Sequence, residues 1–380
     1  MLSGIVPIVA GGGPAFPALP PRAPALRAVG GQARAIIALY MTGGPSHIDT
    51  FDYKPLLRRL HGQSCPREFS CPATSGRAPR LTGGGQRPRL LAGPWTWRQH
   101  GRSGLWFSSL LPHLAGHADR LCMVHSMQSR SDRHAVAANQ LFEQLLGDTA
   151  TRSGEAGSPP CEVPRHVSLL LAPPRLVPSL GELVVPAEMA PRSAAASTAR
   201  RTTSRPCSAA HRAWWDARVD DLARETRRTQ TLYGLDGPPE PARFGRLCLL
   251  ARRAVERGVR LVLVHSAADA IGWDAHGDLA GNHRASAAQV DQPIAALLDD
   301  LHRRGMLDET LVLWASEFGR SPCAQNGHGR DHNPQGFTIW LAGGGVGGGQ
   351  RIGATDEIGM RAVDSPCVLA DLLAPLHVAG

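Results

Sequence analysis

The sequence predicts an α/β protein with a mostly parallel central sheet and helices on both faces. Three observations predict it. Short apolar runs of β-type composition recur along the chain, longer amphipathic stretches separate them, and polar clusters fall where the runs give out. Ala35 to Met41 (AIIALYM) reads as a buried strand. So do Arg120 to His125 (RLCMVH), Arg260 to His265 (RLVLVH), Thr310 to Ala315 (TLVLWA) and Phe337 to Leu341 (FTIWL). Runs this evenly apolar suit strands covered on both faces, the situation of a parallel sheet. Apolar residues at helical spacing predict helices within Gly104 to Ala118, Ala135 to Leu146, Ala217 to Thr231, Arg243 to Arg257 and Ala285 to Arg304. From Thr149 to about Arg205 the chain turns to Pro, Ser, Ala and Arg clusters without a sustained period. That stretch reads as a loop, a disordered insert or a corrupted segment.

A chain of 380 residues can bury a full core and fits one large domain or two ordinary ones. We expect a low-complexity segment or leader remnant over residues 1–34, then a single domain over 35–380 with the irregular insert at about 149–205. Leu2 to Ala10 is apolar, but neither a basic n-region nor a twin arginine accompanies it. No apolar run reaches about 18 residues, so no transmembrane segment is expected. The formal charge of +9 raises nucleic acid as a partner. Against it, Lys54 is the only lysine, the arginines are spread over the whole chain, and no helix-turn-helix, zinc-finger or aromatic-basic pattern is present. None of the eight cysteines forms a C-x-x-C pair, which argues against a zinc ribbon. Cys65 and Cys71 could pair if the protein is exported.

Polar chemistry concentrates at the strand ends, where open α/β sheets bind their ligands. After the first strand comes Gly43-Gly44-Pro45-Ser46-His47-Ile48-Asp49-Thr50-Phe51-Asp52. The glycines let a ligand approach the backbone, and Ser46, His47, Asp49 and Asp52 supply oxygen and imidazole groups. A plain turn with Asp caps fits the same residues. His265 and then Gly272-Trp273-Asp274-Ala275-His276-Gly277-Asp278 follow the third strand; an Asp and a His two apart can face one metal ion. Glu317 ends the fourth strand, a position suited to a ligand or general base. Arg320 and Arg330 could grip an anionic oxygen bidentately, or each could pair with a neighbouring carboxylate. Asp331 and His332 complete this last loop.

Several smaller features have plainer readings. Trp95 and Trp97 suggest a packed hairpin, or a sugar platform if both are exposed on one face. His113 and His117 lie four apart among leucines, as structural histidines would. Trp214-Trp215 suggests an anchor where the irregular stretch rejoins the domain. Gly343 to Gly349 (GGGVGGG) follows a strand but lacks the Lys and Ser/Thr of a phosphate loop, so it reads as a turn.

Taken in order, GGPSHIDTFDYKP (43–55), GRSGLWFSSLLPHLAGHADRLCMVHSM (101–127), GWDAHGDLAGNHR (272–284), DETLVLWASEFGRSP (308–322) and GRDHNPQGFTIWLAGGGVGGGQRIGATDEIG (329–359) resemble the bacterial domain-of-unknown-function 1501 family, DUF1501. That family is similar to the alkaline-phosphatase and sulfatase superfamily. The resemblance spans roughly residues 35–147 and 231–364. It implies an alkaline-phosphatase-like fold and a one- or two-metal centre acting on phosphate or sulfate esters. Asp274 and His276 then resemble the Asp/His pair of one metal site, Glu317 an acidic ligand and His332 the late histidine. Asp49 falls where relatives place a further acidic ligand, Asp331 joins the set beside His332, and His134 matches a family histidine. Ser46 and Thr50 are the candidate nucleophiles, with His47 beside them, and a metal-activated water is the alternative. The sulfatase C-x-P-x-R signature is absent, and the chain stops where relatives continue with a His-containing helix, which suggests a truncated or divergent member.

The resulting expectation is a hydrolase of phosphate or sulfate esters that uses zinc, manganese or calcium on a small anionic substrate. Family habit implies a periplasmic or exported protein; with no clear signal peptide, a cytoplasmic one is the other option. The alternative functions are a binding or scaffold protein that keeps the fold without turnover, and a nucleotide binder using the glycine run.

Overall fold

The computed structural model describes residues 33–69, 88–150, 166–170, 183–186, 209–267 and 272–374. The expected leader remnant before residue 33, Cys71 with its link to Cys65, and most of the 149–205 stretch lie outside them. In chain order the strands are β1 (Ala35–Tyr40), β2 (Trp97–His100), β3 (Leu105–Ser108), β4 (Cys122–Met127), β5 (His166–Leu170), β6 (Leu183–Pro186) and β7 (Leu261–His265). Then come β8 (Thr310–Ala315), β9 (Gly319–Gln325), β10 (Gly329–Asn333), β11 (Phe337–Ala342), β12 (Gln350–Ile352), β13 (Ala354–Thr355) and β14 (Ala362–Asp364). Eight of them form one sheet in the order β12-β4-β11-β8-β1-β7-β5-β6, and β2–β3, β9–β10 and β13–β14 pair separately. In the large sheet β11 is antiparallel to β4 and β8, and the other pairings are parallel.

The helices are α1 (His47–Thr50), α2 (Pro55–Arg59), α3 (Pro112–Ala115), α4 (His134–Ala150), α5 (Ala209–Arg218), α6 (Arg227–Leu232), α7 (Pro239–Glu256), α8 (Leu279–Arg303) and α9 (Leu369–Leu373). They cover both faces, because alternate residues of a strand point to opposite sides. Ile37 and Leu39 of β1 enter one core with Leu247 and Leu250 of α7 and Ile294 and Leu297 of α8. Ile36, Ala38 and Tyr40 enter the other with Phe142 and Leu145 of α4 and Leu369 and Leu372 of α9. Each such buried side chain contributes about 1.5–3 kcal/mol, so the even hydrophobicity of AIIALY reflects two cores served by one strand. No helix among the described residues is long and apolar enough to cross a membrane.

Two expectations from periodicity are corrected. Gly104 to Ala118 is not one helix: Leu105–Ser108 is a strand of the β2–β3 hairpin, and only Pro112–Ala115 is helical. Its Trp and Phe favour a strand, and Pro112 opens the helix at N1, where a missing N–H costs nothing. Likewise Ala217 to Thr231 is broken; α5 ends at Arg218 and α6 begins at Arg227, with Thr226 capping it through the Thr229 amide at 3.1 Å. Within the stretch read as aperiodic, HVSLL and LVVP form β5 and β6, parallel strands at the sheet edge. Each is too short to set a period against its Pro-rich surroundings.

Register places the loops that matter. Tyr40 pairs with His265 of β7 on one side and Ala315 of β8 on the other. Three strands therefore end level, and the segments after them start side by side. Part of the net positive charge is interior: Arg252, Arg253, Arg320 and Arg330 are all buried, Arg252 held by Glu225 at 2.7 Å and Asp300 at 3.0 Å.

Candidate metal centre

The segments after β1, β7 and β8 are tied together by backbone contacts. The Trp273 amide donates to Thr42 O at 2.9 Å, and the Arg330 amide donates to Ala275 O at 2.9 Å. Two glycines make this proximity feasible. Gly43 has φ +98°, and a Cβ there would lie 2.6 Å from the Asp274 nitrogen; a Cβ on Gly329 would lie 2.1 Å from the carbonyl carbon of His276. Asp278 caps α8 by accepting from the Gly281 amide at 2.9 Å, which fixes the far end of the Trp-Asp-x-His loop.

This scaffold gathers His134, Asp274, His276 and His332, whose ligand-type atoms all lie within 4.8 Å of one another. His276 Nε2 is 2.9 Å from Asp274 Oδ1, His332 Nε2 is 3.3 Å from that same oxygen, and His134 Nε2 is 3.3 Å from Oδ2. The Nε2 atoms of His276 and His332 are 3.0 Å apart. Each ring is held from behind by an oxygen that can only accept: Glu317 Oε1 on His134 Nδ1 at 2.7 Å, Gln325 Oε1 on His276 Nδ1 at 2.5 Å, and Asp132 O on His332 Nδ1 at 2.6 Å. Nδ1 therefore carries the proton in all three, and in the neutral ring the Nε2 lone pair faces the cluster. Such outer hydrogen bonds fix the tautomer and orientation of metal-binding histidines. The donor set of three imidazoles and one carboxylate is what a transition-metal ion of zinc type takes. By this test the residues fit a divalent cation.

The electrostatics agree. Burial opposes the charge on Asp274, but His134, His276, His332 and the Arg320 guanidinium outweigh it and hold its carboxyl far below the usual range. Burial alone would lower His134, yet Asp274 and Glu317 raise it to about 9. Asp274 likewise raises His276, whereas burial lowers His332. The cluster is open on one side, with side-chain exposures of 15% for His332, 20% for Asp274, 25% for His134 and 36% for His276.

The other candidate residues stand around this cluster rather than in it. Glu317 is outside the four-residue group; besides His134, its Oε1 accepts from the Gly43 amide at 2.8 Å. Arg320 donates from Nε to Gly44 O at 2.9 Å, from Nη1 to Arg330 O at 3.2 Å, and from Nη2 to Gly43 O and Asp274 Oδ1. Arg330 forks onto Asp49, with Nε 2.8 Å from Oδ2, and also bonds Ser321 O and Leu91 O. Four donors of each guanidinium thus end on protein oxygens. Asp49 and Ser46 are buried, and Ser46 Oγ donates to Asp49 Oδ2 at 2.5 Å. Thr50 Oγ1 bonds back to Ser46 O at 2.9 Å. His47 is buried, its Nε2 bonded to Gly359 O at 2.9 Å, and burial lowers it to about 4. Asp331 is exposed, its Oδ1 accepting from the His332 amide at 2.9 Å. His265 packs against Tyr40 and Phe142 in the core. Gln325 and Asp132 carried no sequence signal, since one acts through an amide and the other through its backbone carbonyl.

Fold and site together define an α/β protein with a candidate three-histidine, one-aspartate metal centre at the carboxyl edge of its sheet. The chain belongs to the family described as protein of unknown function (DUF1501), whose model matches residues 33–166 and 188–379. No curated protein matches it. Among solved structures it is similar to the lipoteichoic acid synthase LtaP from Listeria monocytogenes, at 9% identity and a TM-score of 0.36, over 90% of this chain and 76% of that one.

Proposed function

We propose that this protein is a metal-dependent hydrolase of phosphate or sulfate esters, built on the plan of the alkaline-phosphatase and sulfatase superfamily. The observation that carries the reading is the convergence of His134, Asp274, His276 and His332 within 4.8 Å, each imidazole braced through Nδ1. The order of sequence motifs supports the superfamily plan. Three imidazoles favour zinc or another borderline transition ion over calcium, which takes oxygen ligands. A divalent ion held there supplies Lewis-acid polarisation of an ester oxygen and makes a nucleophile available at neutral pH.

The chain's own residues have distinct tasks in this reading. Glu317 orients His134, Arg320 pins Asp274 Oδ1, and the open side of the cluster admits a small anionic ester. Ser46 and Thr50 are buried and bonded inward, so the attacking oxygen comes from solvent and not from a side chain. Elemental analysis of purified protein beside Asp274→Ala/His332→Ala, followed by aryl phosphate and aryl sulfate assays, tests the proposal. Metal in the parent, loss of metal in the double variant and turnover in the parent alone are the expected results. A parent that takes up no metal on reconstitution refutes it.

A second reading, a metal-binding scaffold without turnover, is favoured by one observation. Arg320 and Arg330, the residues expected to grip the substrate anion, have four donors each engaged within the protein. Bound metal without hydrolysis of either ester class selects this reading.

A further inference from the structure

Away from the metal cluster, and sharing no lining residue with it, a cavity of about 580 Å³ opens between residues 51–54, the β2–β3 hairpin and the β4/β12 edge of the sheet. That volume falls within the range of small-molecule sites, about 300–1,000 Å³. Its wall carries two half-buried aromatic rings, Tyr53 and Trp106, with centroids 4.5 Å apart at an interplanar angle of 40°. Trp97, outside the cavity lining, also meets Tyr53, with ring centroids 5.3 Å apart, so the tyrosine contacts two indoles of the hairpin. These rings are fixed by the hairpin, in which Trp106 pairs across with Gln99, itself a lining residue.

The polar groups of the cavity are charge-balanced. Lys54 Nζ lies 3.0 Å from Asp52 Oδ1 and donates to Thr355 O at 3.2 Å; Arg351 and Asp364, both exposed, add one charge of each sign at the rim. His125 sits at the floor, 5% exposed, with Nδ1 engaged by Thr338 Oγ1 at 2.9 Å; burial lowers it to about 4, so it faces the cavity as a neutral ring with Nε2 available. A wholly apolar ligand would leave these groups unpaired. A strong anion would find Lys54 already paired with Asp52, and would meet the Asp364 carboxylate on the same rim as Arg351. A ligand with many hydroxyls and an apolar ring face satisfies both halves of the wall, since hydroxyls both donate and accept while C–H faces stack on aromatic rings.

We propose that the cavity lined by Tyr53, Trp106, Gln99, Lys54, His125 and Arg351 is a binding site for a neutral saccharide, separate from the metal centre. The test is retention of fluorescently labelled full-length protein on an array of immobilised neutral, sulfated and phosphorylated glycans, followed by calorimetric titration with the best soluble glycan. The expected result is retention on neutral glycans, at least tenfold weaker binding by Trp106→Ala, and unchanged binding by Asp274→Ala/His332→Ala. Because Trp106 also supports the hairpin, Gln99→Ala and Arg351→Ala, at exposed positions, serve as second variants and are each expected to weaken binding severalfold with an unaltered circular dichroism spectrum. No retention on any neutral glycan overturns the proposal. So does binding that Trp106→Ala, Gln99→Ala and Arg351→Ala all leave intact, or retention confined to charged glycans and competed away by inorganic sulfate. The metal-centre variant keeps the two proposals apart, since either can fail while the other stands.

Discussion

Glu317 Oε1 lies 2.7 Å from His134 Nδ1, on the side of the ring away from the cluster. The carboxylate expected from sequence to be a metal ligand lies outside the His134, Asp274, His276 and His332 group and, in the proposed centre, sets the direction of an imidazole. Losing such an outer partner usually costs 10–100-fold in metal affinity. Glu317→Gln is therefore expected to weaken metal binding by about that factor while leaving a detectable site, measured by competition with a chromogenic chelator. Unchanged affinity, or a loss as complete as that of Asp274→Ala/His332→Ala, contradicts this placement.

Arg330 and Asp49 form a buried pair whose partners are both inaccessible to solvent. Burial opposes the Asp49 charge, and Arg330 overcomes it to keep the carboxyl below its ordinary value. Removing one member of such a pair strands the other, at a cost of about 3–5 kcal/mol. Arg330→Met should lower urea stability by that order, and adding Asp49→Leu should recover part of the loss. A variant of parental stability with a raised KM instead would return Arg330 to the role of anion binder.

Gly43→Ala places a methyl group against the Asp274 backbone at a residue with φ +98°. Steric strain of this kind costs on the order of 1–3 kcal/mol. The expected outcome is a lower melting temperature together with weaker metal binding, because the shifted backbone carries a ligand. Normal metal affinity in the variant would show that the loop tolerates the shift.

Four buried histidines should make the fold acid-sensitive. Burial pushes His47 and His125 to about 4 and His265 and His283 to about 3, from an ordinary 6.5. Below 6.5 the unfolded chain takes up protons that the native state refuses until its own lower values are reached. The contribution of these four rings is full above 6.5 and falls as the pH drops towards 4 and then 3, by about 1.4 kcal/mol per pH unit for each lagging ring. Denaturation midpoints for the metal-free protein across that window measure the slope. A flat profile means these rings are not held neutral.

A solvent nucleophile has a product signature. With an aryl phosphate and a high concentration of glycerol, phenol and inorganic phosphate should appear in equal amounts, because no phosphorylated side chain is there to be intercepted. An excess of phenol over phosphate that is lost in Ser46→Ala or Thr50→Ala would instead point to a phosphorylated side chain at that position.

Much of the sheet was legible because β1, β7 and β8 are uniformly apolar and bounded by polar loops, and the Asp274-x-His276 pair was legible because both residues lie in one short segment. Pairing geometry was not. Whether Arg330 meets a substrate or Asp49 depends on a contact 281 residues away in sequence, which no local pattern encodes. Glu317 had the chemistry and the strand end of a ligand, but its contact is with His134 Nδ1 rather than within the four-residue group, a difference no local pattern encodes. β5 and β6 escaped because strands this short in an edge position need neighbours to define them.

The cluster draws its donors from the start of α4, the segment after β7 and strand β10, so no continuous piece of the chain contains it. The Asp274–His276 segment is brought beside Thr42 only after β1 and β7 have found their register. A one-residue slip in that pairing would turn alternate side chains to the wrong core and carry the loops apart. On the proposed reading, metal uptake then becomes a report on chain assembly: a molecule that has collapsed without zipping its parallel strands would bind metal weakly, and the time course of uptake during refolding would date the moment at which distant parts of the sequence first meet.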